Sequence, residues 1–304
     1  QDCYASLNAG KTLGIGNYDS ANIIHSNGKF YLLVGTSTSN RDHFYIVDAK
    51  TLYYENSAVV GANLSGLTIL NEQYGLVTGD GIRRIDLKSL NNVRIKNERL
   101  LCFYNSIIYN GKVLSNDTYK DESKVKYYDV NELIAAKEGE APAVTELDII
   151  QKQKINFVLA KDGNVYTLES ADNGCNIVKI KNDFTLEKVF ANFQPAKGPY
   201  HSSPTIGMVA SETENIIYLV STDGAIYKYI LGDSDSLKAP FIAAESGVSI
   251  TAPLQLNQQS GELYVTYTEE LKDESKIVVY SKDGKVLHTV DCGESVPSQI
   301  LFNN

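Results

Sequence analysis

The chain reads as an all-β protein, a β-propeller of seven blades: six full four-stranded repeats and a closing blade shared by the N- and C-termini. Three observations predict this. A run of alternating apolar residues that turns on Asp, Asn or Gly recurs six times. Its closing leucines fall at Leu52, Leu90, Leu133, Leu186, Leu237 and Leu287, a repeat of about 40 to 50 residues, which is the length of a propeller blade. Ahead of each copy stand two apolar runs split by a polar turn, the mark of a hairpin. Tyr is abundant at 20 while Trp is absent, an aromatic supply that suits strands.

In chain order, the hairpins are NIIHSNGKFYLLVG (22–35), LTILNEQYGLVTG (67–79), SIIYNGKVLSN (106–116), NFVLAKDGNVYTLES (156–170), TIGMVASETENIIYLVST (205–222) and PLQLNQQSGELYVTY (253–267). Asn, Asp, Gly and Ser at their tips supply the positive backbone angles that tight hairpins need. Third strands follow as FYIVDAKTL (44–52), IRRIDLKSL (82–90), VKYYDVNEL (125–133), IVKIKNDFTL (177–186), IYKYILGDSDSL (226–237) and IVVYSKDGKVL (277–287). A fourth strand completes each repeat. The one helical stretch is the short NELIAAKEGE (131–140), which decorates a strand connection.

The chain ends supply the rest of the ring. SQILFNN (298–304) reads as the first strand of a closing blade, and CYASLNAG (3–10) and TLGIGNY (12–18) read as later strands of it. Sharing one blade between the termini would remove exposed sheet edges. If the N-terminal segment only caps, the count is six. No linker composition divides the chain, so one domain over 1–304 is expected.

Charge and composition exclude several classes of function. A formal net charge of −9, with no cluster of Lys and Arg among aromatics, argues against nucleic acid as a partner. No stretch approaches the roughly 20 apolar residues of a membrane-spanning helix. The chain begins at Gln1, which suggests a removed leader and an extracytoplasmic location, at the outer-membrane surface or in the periplasm. Cys3, Cys102, Cys175 and Cys292 have no CxxC spacing and no companion histidines, so no zinc site is expected. They read as buried free thiols; the alternative is a Cys3–Cys292 disulfide across the neighbouring chain ends.

LNAG (7–10), the IVDAKTL and RIDLKSL strands, and the C-terminal VVYSKDGKVLHTVDCGESVPSQILFNN resemble the YncE-like propellers. Within these the chain is similar to the BtuG-like surface lipoproteins of Bacteroidetes, which capture corrinoids. The resemblance implies a seven-bladed ring, a lipid anchor upstream of Gln1, a small-molecule ligand of the corrinoid kind, and partnership with an outer-membrane transporter. No ligand-binding residue is carried over from it.

Ligands of propellers usually meet the loops that join second to third strands and blade to blade, because a rigid scaffold holds variable side chains there. The most distinctive is NFQPAKGPYHSS (192–203). Its Phe193, Lys197, Tyr200 and His201 combine aromatic faces, a cation and an imidazole able to grip an amphipathic ligand or stack a planar ring; otherwise the loop covers a blade edge. Asp42, Asp80, Asp117, Asp172 and Asp223 occupy equivalent second-to-third-strand loops. Converging, they would hold calcium; apart, they cap turns. The string KDESK, at 120–124 and 272–276, reads as solvated rim.

His25, His43, His201 and His288 are scattered, and neither GxSxG nor HExxH occurs, so no catalytic residue and no cofactor is expected. The expected function is non-catalytic capture of a small nutrient. The alternatives are an envelope interaction scaffold and, behind it, a calcium-dependent hydrolase or lyase.

Overall fold

Antiparallel meanders of three to five strands make up the molecule. The computed structural model describes residues 7–9, 18–36, 41–62, 64, 66–79, 81–96, 106–116, 123–140, 142–151, 156–196, 207–269, 274–293, 300 and 302. Among these, six sheets follow one another in chain order, each the blade unit of a propeller. Of the segments expected to build a seventh blade, 298–304 and 3–18, only residues 7–9, 18, 300 and 302 are described. The chain resolves into two compact units, Gln1–Asp148 and Ile149–Phe302.

The first unit begins with β1 (Tyr18–Ser26), β2 (Lys29–Thr36), β3 (Asp42–Asp48) and β4 (Tyr54–Gly61), paired in that order. Asn27 and Gly28 form the β1–β2 turn, both with positive φ (51° and 69°), as a two-residue hairpin of right-handed twist requires. The second sheet is β5 (Gly66–Ile69), β6 (Tyr74–Thr78), β7 (Ile82–Asp86) and β8 (Asn92–Lys96). The third is β9 (Ile107–Tyr109), β10 (Lys112–Asn116), β11 (Ser123–Asp129) and β12 (Val144–Gln151), and Asn110-Gly111 repeats the same turn, with φ of 47° and 71°.

Asp48, Asp86 and Asp129 share a local rule. The Asp48 carboxylate accepts from the Thr51 N–H at 2.7 Å, and that of Asp86 from the Ser89 N–H at 2.7 Å. The chain then passes through Leu52 and Leu90 with φ of 59° and 60°. Asp129 accepts from the same two positions, Asn131 and Glu132, at 2.8 and 3.1 Å, but here becomes the N-cap of helix α1 (Val130–Ala135), because Glu-Leu-Ile-Ala are better helix formers than Thr-Leu or Ser-Leu. The helix stops before the expected 140. Nη1 of Arg84, on β7, donates to the carbonyls of Ile134 and Ala136, closing its C-terminal end.

The second unit holds β13 (Val158–Leu159), β14 (Val165–Ala171), β15 (Gly174–Ile180) and β16 (Leu186–Phe193). Next come β17 (Met208–Ala210), β18 (Ile216–Val220) and β19 (Ile226–Ile230). In this sheet the expected long third strand stops at Ile230. Residues Ser234–Leu237 form a 3-10 turn, and Ile242 returns to bridge Ile226 at the position of a fourth strand. The last sheet is β20 (Val248–Ile250), β21 (Gln255–Leu256), β22 (Leu263–Glu269), β23 (Ser275–Tyr280) and β24 (Val286–Gly293). Both β20 and β21 pair with β22; they are one innermost strand interrupted at 251–254, where Pro253 has no N–H to offer a ladder.

Apolar side chains of successive sheets interdigitate to form the core. Leu33 and Phe44 meet Leu67, Val77 and Ile85, and Leu76 and Ile82 meet Val113 and Tyr128. In the second unit Leu168 and Ile177 meet Ile217 and Leu219, and Tyr218 and Ile226 meet Val265 and Val278. Burying such a side chain fully is worth about 1.5–3 kcal/mol. Polar rungs also cross between sheets, Gln258 bonding the backbone of Ala210 and Glu212 in one of them. The Asn156 amide exchanges bonds with the Met208 peptide, donating to its carbonyl at 2.6 Å and accepting from its N–H at 3.0 Å.

Candidate functional site

The two ends of the meanders carry different sets of connections. At the hairpin end most turns are short and held by side chains, the longer exceptions being the connections that carry α1 (130–143) and the 3-10 turn (231–241). Besides the Asp-capped turns, Asn71 accepts from Gln73 and Tyr74, Ser211 from Thr213 and Glu214, and Asn257 from Gln259 and Ser260. The carboxylates of this end are held below the ordinary range by those bonds: Asp48 first by the Thr51 hydroxyl, Asp86 by the Ser89 N–H, and Asp129 by the Lys112 ammonium at 2.7 Å. At the opposite end the connections vary in length. Second-to-third-strand links run 37–41, 79–81, 117–122, 172–173, 221–225 and 270–274, and sheet-to-sheet links include 97–106 and 194–207. A rigid base with variable loops is the architecture of a binding surface.

The residues singled out from sequence fall as follows. Phe193 ends β16 and is buried, its ring edge-on to Tyr227 at 5.8 Å and beside Cys175 in the core; it packs sheet against sheet. Lys197, Tyr200 and His201 lie outside the described residues, as do Asp80 and Asp117. Asp42 is buried and accepts from the Leu64 N–H. Asp172 is exposed in the β14–β15 turn. Asp223 accepts from the Ser221 hydroxyl and the Ala225 N–H, which hold its carboxyl low. Asp223 thus caps its own turn, whereas Asp42 ties the start of β3 to the backbone beyond β4. Among the described residues no group of three His, Cys, Asp or Glu side chains gathers as a metal site, and no helix is long and apolar enough to cross a membrane.

Cys175 and Cys292 are free thiols, the first buried and pushed up to about 11 by burial, the second half-exposed. Cys3 and Cys102 lie outside the described residues. The KDESK strings enter β11 and β23, where Lys124 faces Asp148 at 3.5 Å and Lys276 faces Glu245 at 3.2 Å.

Sequence reasoning missed a cavity of about 250 Å³ between the fourth and fifth sheets, at their hairpin end, lined among others by Asp162, Tyr166, Lys179, Glu187, Asn215 and Tyr229. Asp162 sits in the β13–β14 turn and accepts from Tyr166 Oη at 2.8 Å and Lys179 Nζ at 2.8 Å. Burial would raise its carboxyl, but these bonds outweigh it and hold it low. Tyr166 is pushed up by burial and by Asp162. The residues come from separate repeats, and their only local signal is the Asp162–Tyr166 spacing in KDGNVY.

Comparison with known proteins places the fold. A functionally unknown protein from Desulfotomaculum acetoxidans is similar at 12% identity, with 94% of this chain and 89% of that one covered and a TM-score of 0.57. The β-propeller domain of Cps50 (Swd1) from Myceliophteria thermophila is similar at 13% identity, covering 91% of both chains with a TM-score of 0.56. A streptogramin B lyase is similar at 14% identity, with 90% and 84% covered and a TM-score of 0.52. At such identities the likeness shows the fold alone, a β-propeller. No curated protein matches the chain. The match over residues 1–303 shows that the chain belongs to the family described as domain of unknown function DUF5074.

Proposed function

We propose that this propeller is an extracytoplasmic, non-catalytic binding protein that captures a small nutrient on the loop end of its sheets, a corrinoid being the class its YncE-like and BtuG-like sequence features imply. The observation that carries the reading is the contrast between the two ends. Most turns at one end are short and locked by Asp, Asn and Ser side chains, while the other end has the long sheet-to-sheet links 97–106 and 194–207, the second spanning the Lys197, Tyr200 and His201 positions. The streptogramin B and virginiamycin B lyases share the fold at 14% and 12% identity, which carries no reaction to this chain.

A seventh blade belongs to this reading. Its support is local to the last sheet: Phe302 lies edge-on to Tyr264 of β22 at 5.0 Å, on the route that the first strand of a further blade would take. A second reading, docking of an envelope protein such as an outer-membrane transporter, draws on β24, where Val286, Leu287 and Val290 are exposed; a seventh blade would use the same residues.

Equilibrium dialysis of the purified chain against cyanocobalamin and against cobinamide tests capture. Retention on the protein side, lost in a Tyr200→Ala/His201→Ala variant, is the expected result. Equal concentrations across the membrane for both corrinoids would remove the corrinoid assignment and favour a protein partner.

A further inference from the structure

The cavity between the fourth and fifth sheets carries an inference independent of capture at the loop end. Its inner wall includes Tyr229, only 2% exposed. The Tyr229 hydroxyl accepts from the Gly232 N–H at 3.4 Å, and no acceptor for its own proton is found among the described residues. A buried O–H donor is ordinarily paired; here it borders an open cavity.

Around it, at the solvent-open rim, stand groups with hydrogen-bonding capacity to spare. Among the described residues Lys179 pairs its ammonium with Asp162 alone, at 2.8 Å, and lies over the Tyr166 ring at 5.8 Å. The Asn215 side-chain amide has no partner among the described residues, and only the backbone carbonyl of Asn215 is engaged, by the Leu231 N–H. Glu187 gives one oxygen to Lys181 at 2.9 Å, and its other oxygen has no partner among the described residues. Val189 and Leu231 add an apolar patch.

Charge narrows the class of ligand. An anion would meet Asp162 and Glu187, and a cation would meet Lys179, which stands against Asp162. A neutral ligand rich in hydroxyls escapes both penalties. It uses the spare donors of Tyr229, Lys179 and Asn215 and the spare acceptor of Glu187, and lays a C–H face on Val189 and Leu231. A volume of about 250 Å³ suits one six-membered sugar ring. We propose that this cavity is a binding site for a single neutral pyranose unit, with Tyr229 Oη as its innermost donor.

Saturation-transfer NMR on the whole chain with glucose, galactose and mannose tests this, alongside the methyl glycosides of the same sugars. Transfer to at least one sugar is expected, with affinity about tenfold weaker in Tyr229→Phe, the loss of one hydrogen bond from a buried donor. The variant removes one oxygen and leaves the ring in place, and its melting curve establishes that it is folded. Transfer extending to methyl glycosides identifies the end of a glycan chain; transfer confined to free sugars identifies a monosaccharide. No transfer from any sugar to the folded chain, or unchanged affinity in folded Tyr229→Phe, would overturn the proposal.

Discussion

Nδ2 of Asn8 donates to the carbonyl of Leu52 at 2.8 Å, and Oδ1 of the same amide accepts from the Tyr54 N–H at 2.6 Å. Asn8 belongs to the LNAG string and Leu52 to the closing turn of IVDAKTL, two motifs that stand far apart in the sequence. The amide acts as a peptide group across a turn whose Leu52 has φ of 59°. Both motifs are thus halves of one structural joint at the outer side of the first sheet.

Asn8→Ala should therefore destabilise the chain by about 1–3 kcal/mol, since it leaves backbone groups unpaired at a position only 7% exposed. Guanidinium unfolding measures this. A change within about 0.5 kcal/mol would mean that water replaces the amide.

The capping and non-capping aspartates should separate under substitution. Asp129→Ala removes the N-cap of α1 and the partner of Lys112, and a loss of about 1 kcal/mol is expected. Asp172→Ala alters an exposed turn carboxylate and should stay within about 0.5 kcal/mol. Urea melts of the two variants side by side check the contrast.

Alkaline pH should weaken the fold. Burial pushes Tyr218 up to about 12, and burial with hydrogen bonding raises Tyr166 and Tyr267 further. In the unfolded chain these phenols ionise near 10, so their contribution is complete below that value and declines as pH rises from there toward the folded-state values. Unfolding free energy measured from pH 9 to 12 should fall across that interval, and less steeply in Tyr267→Phe. A flat profile would contradict the buried, protonated assignment.

Thiol labelling should distinguish two cysteines. Cys292 is half-exposed and should react with iodoacetamide in the native chain, whereas Cys175, buried with its thiol pushed up to about 11, should react only on unfolding. Peptide mapping by mass spectrometry reads both sites. Native alkylation of Cys175 would mean that the fourth sheet opens readily.

The blade pattern was legible in sequence because strand alternation and turn chemistry are local. NG at 27–28 and 110–111, and Asp at 48, 86 and 129, act on their immediate neighbours, and each performs the turn role that its residue type suggests. Features made by contact between repeats were not legible. Phe193 looked like a loop aromatic, but the strand β16 runs two residues beyond Ala191 and carries its ring into the core. The third strand of the fifth blade looked longer than it is, because Asp233 starts a 3-10 turn there. The Asp162–Lys179–Tyr229 cavity has no sequence signature, since its residues meet only when two sheets stack.

The central claim, capture of a corrinoid-like nutrient, is tested most directly by thermal unfolding of the chain with cobalamin and with cobinamide, each at about a hundred times a micromolar dissociation constant. A ligand that binds only the folded state adds about 2.7 kcal/mol under those conditions, which for a chain of this length raises the melting temperature by roughly 4 °C. A rise of that size with either corrinoid is the predicted result, and superimposable melts with and without both would contradict the claim.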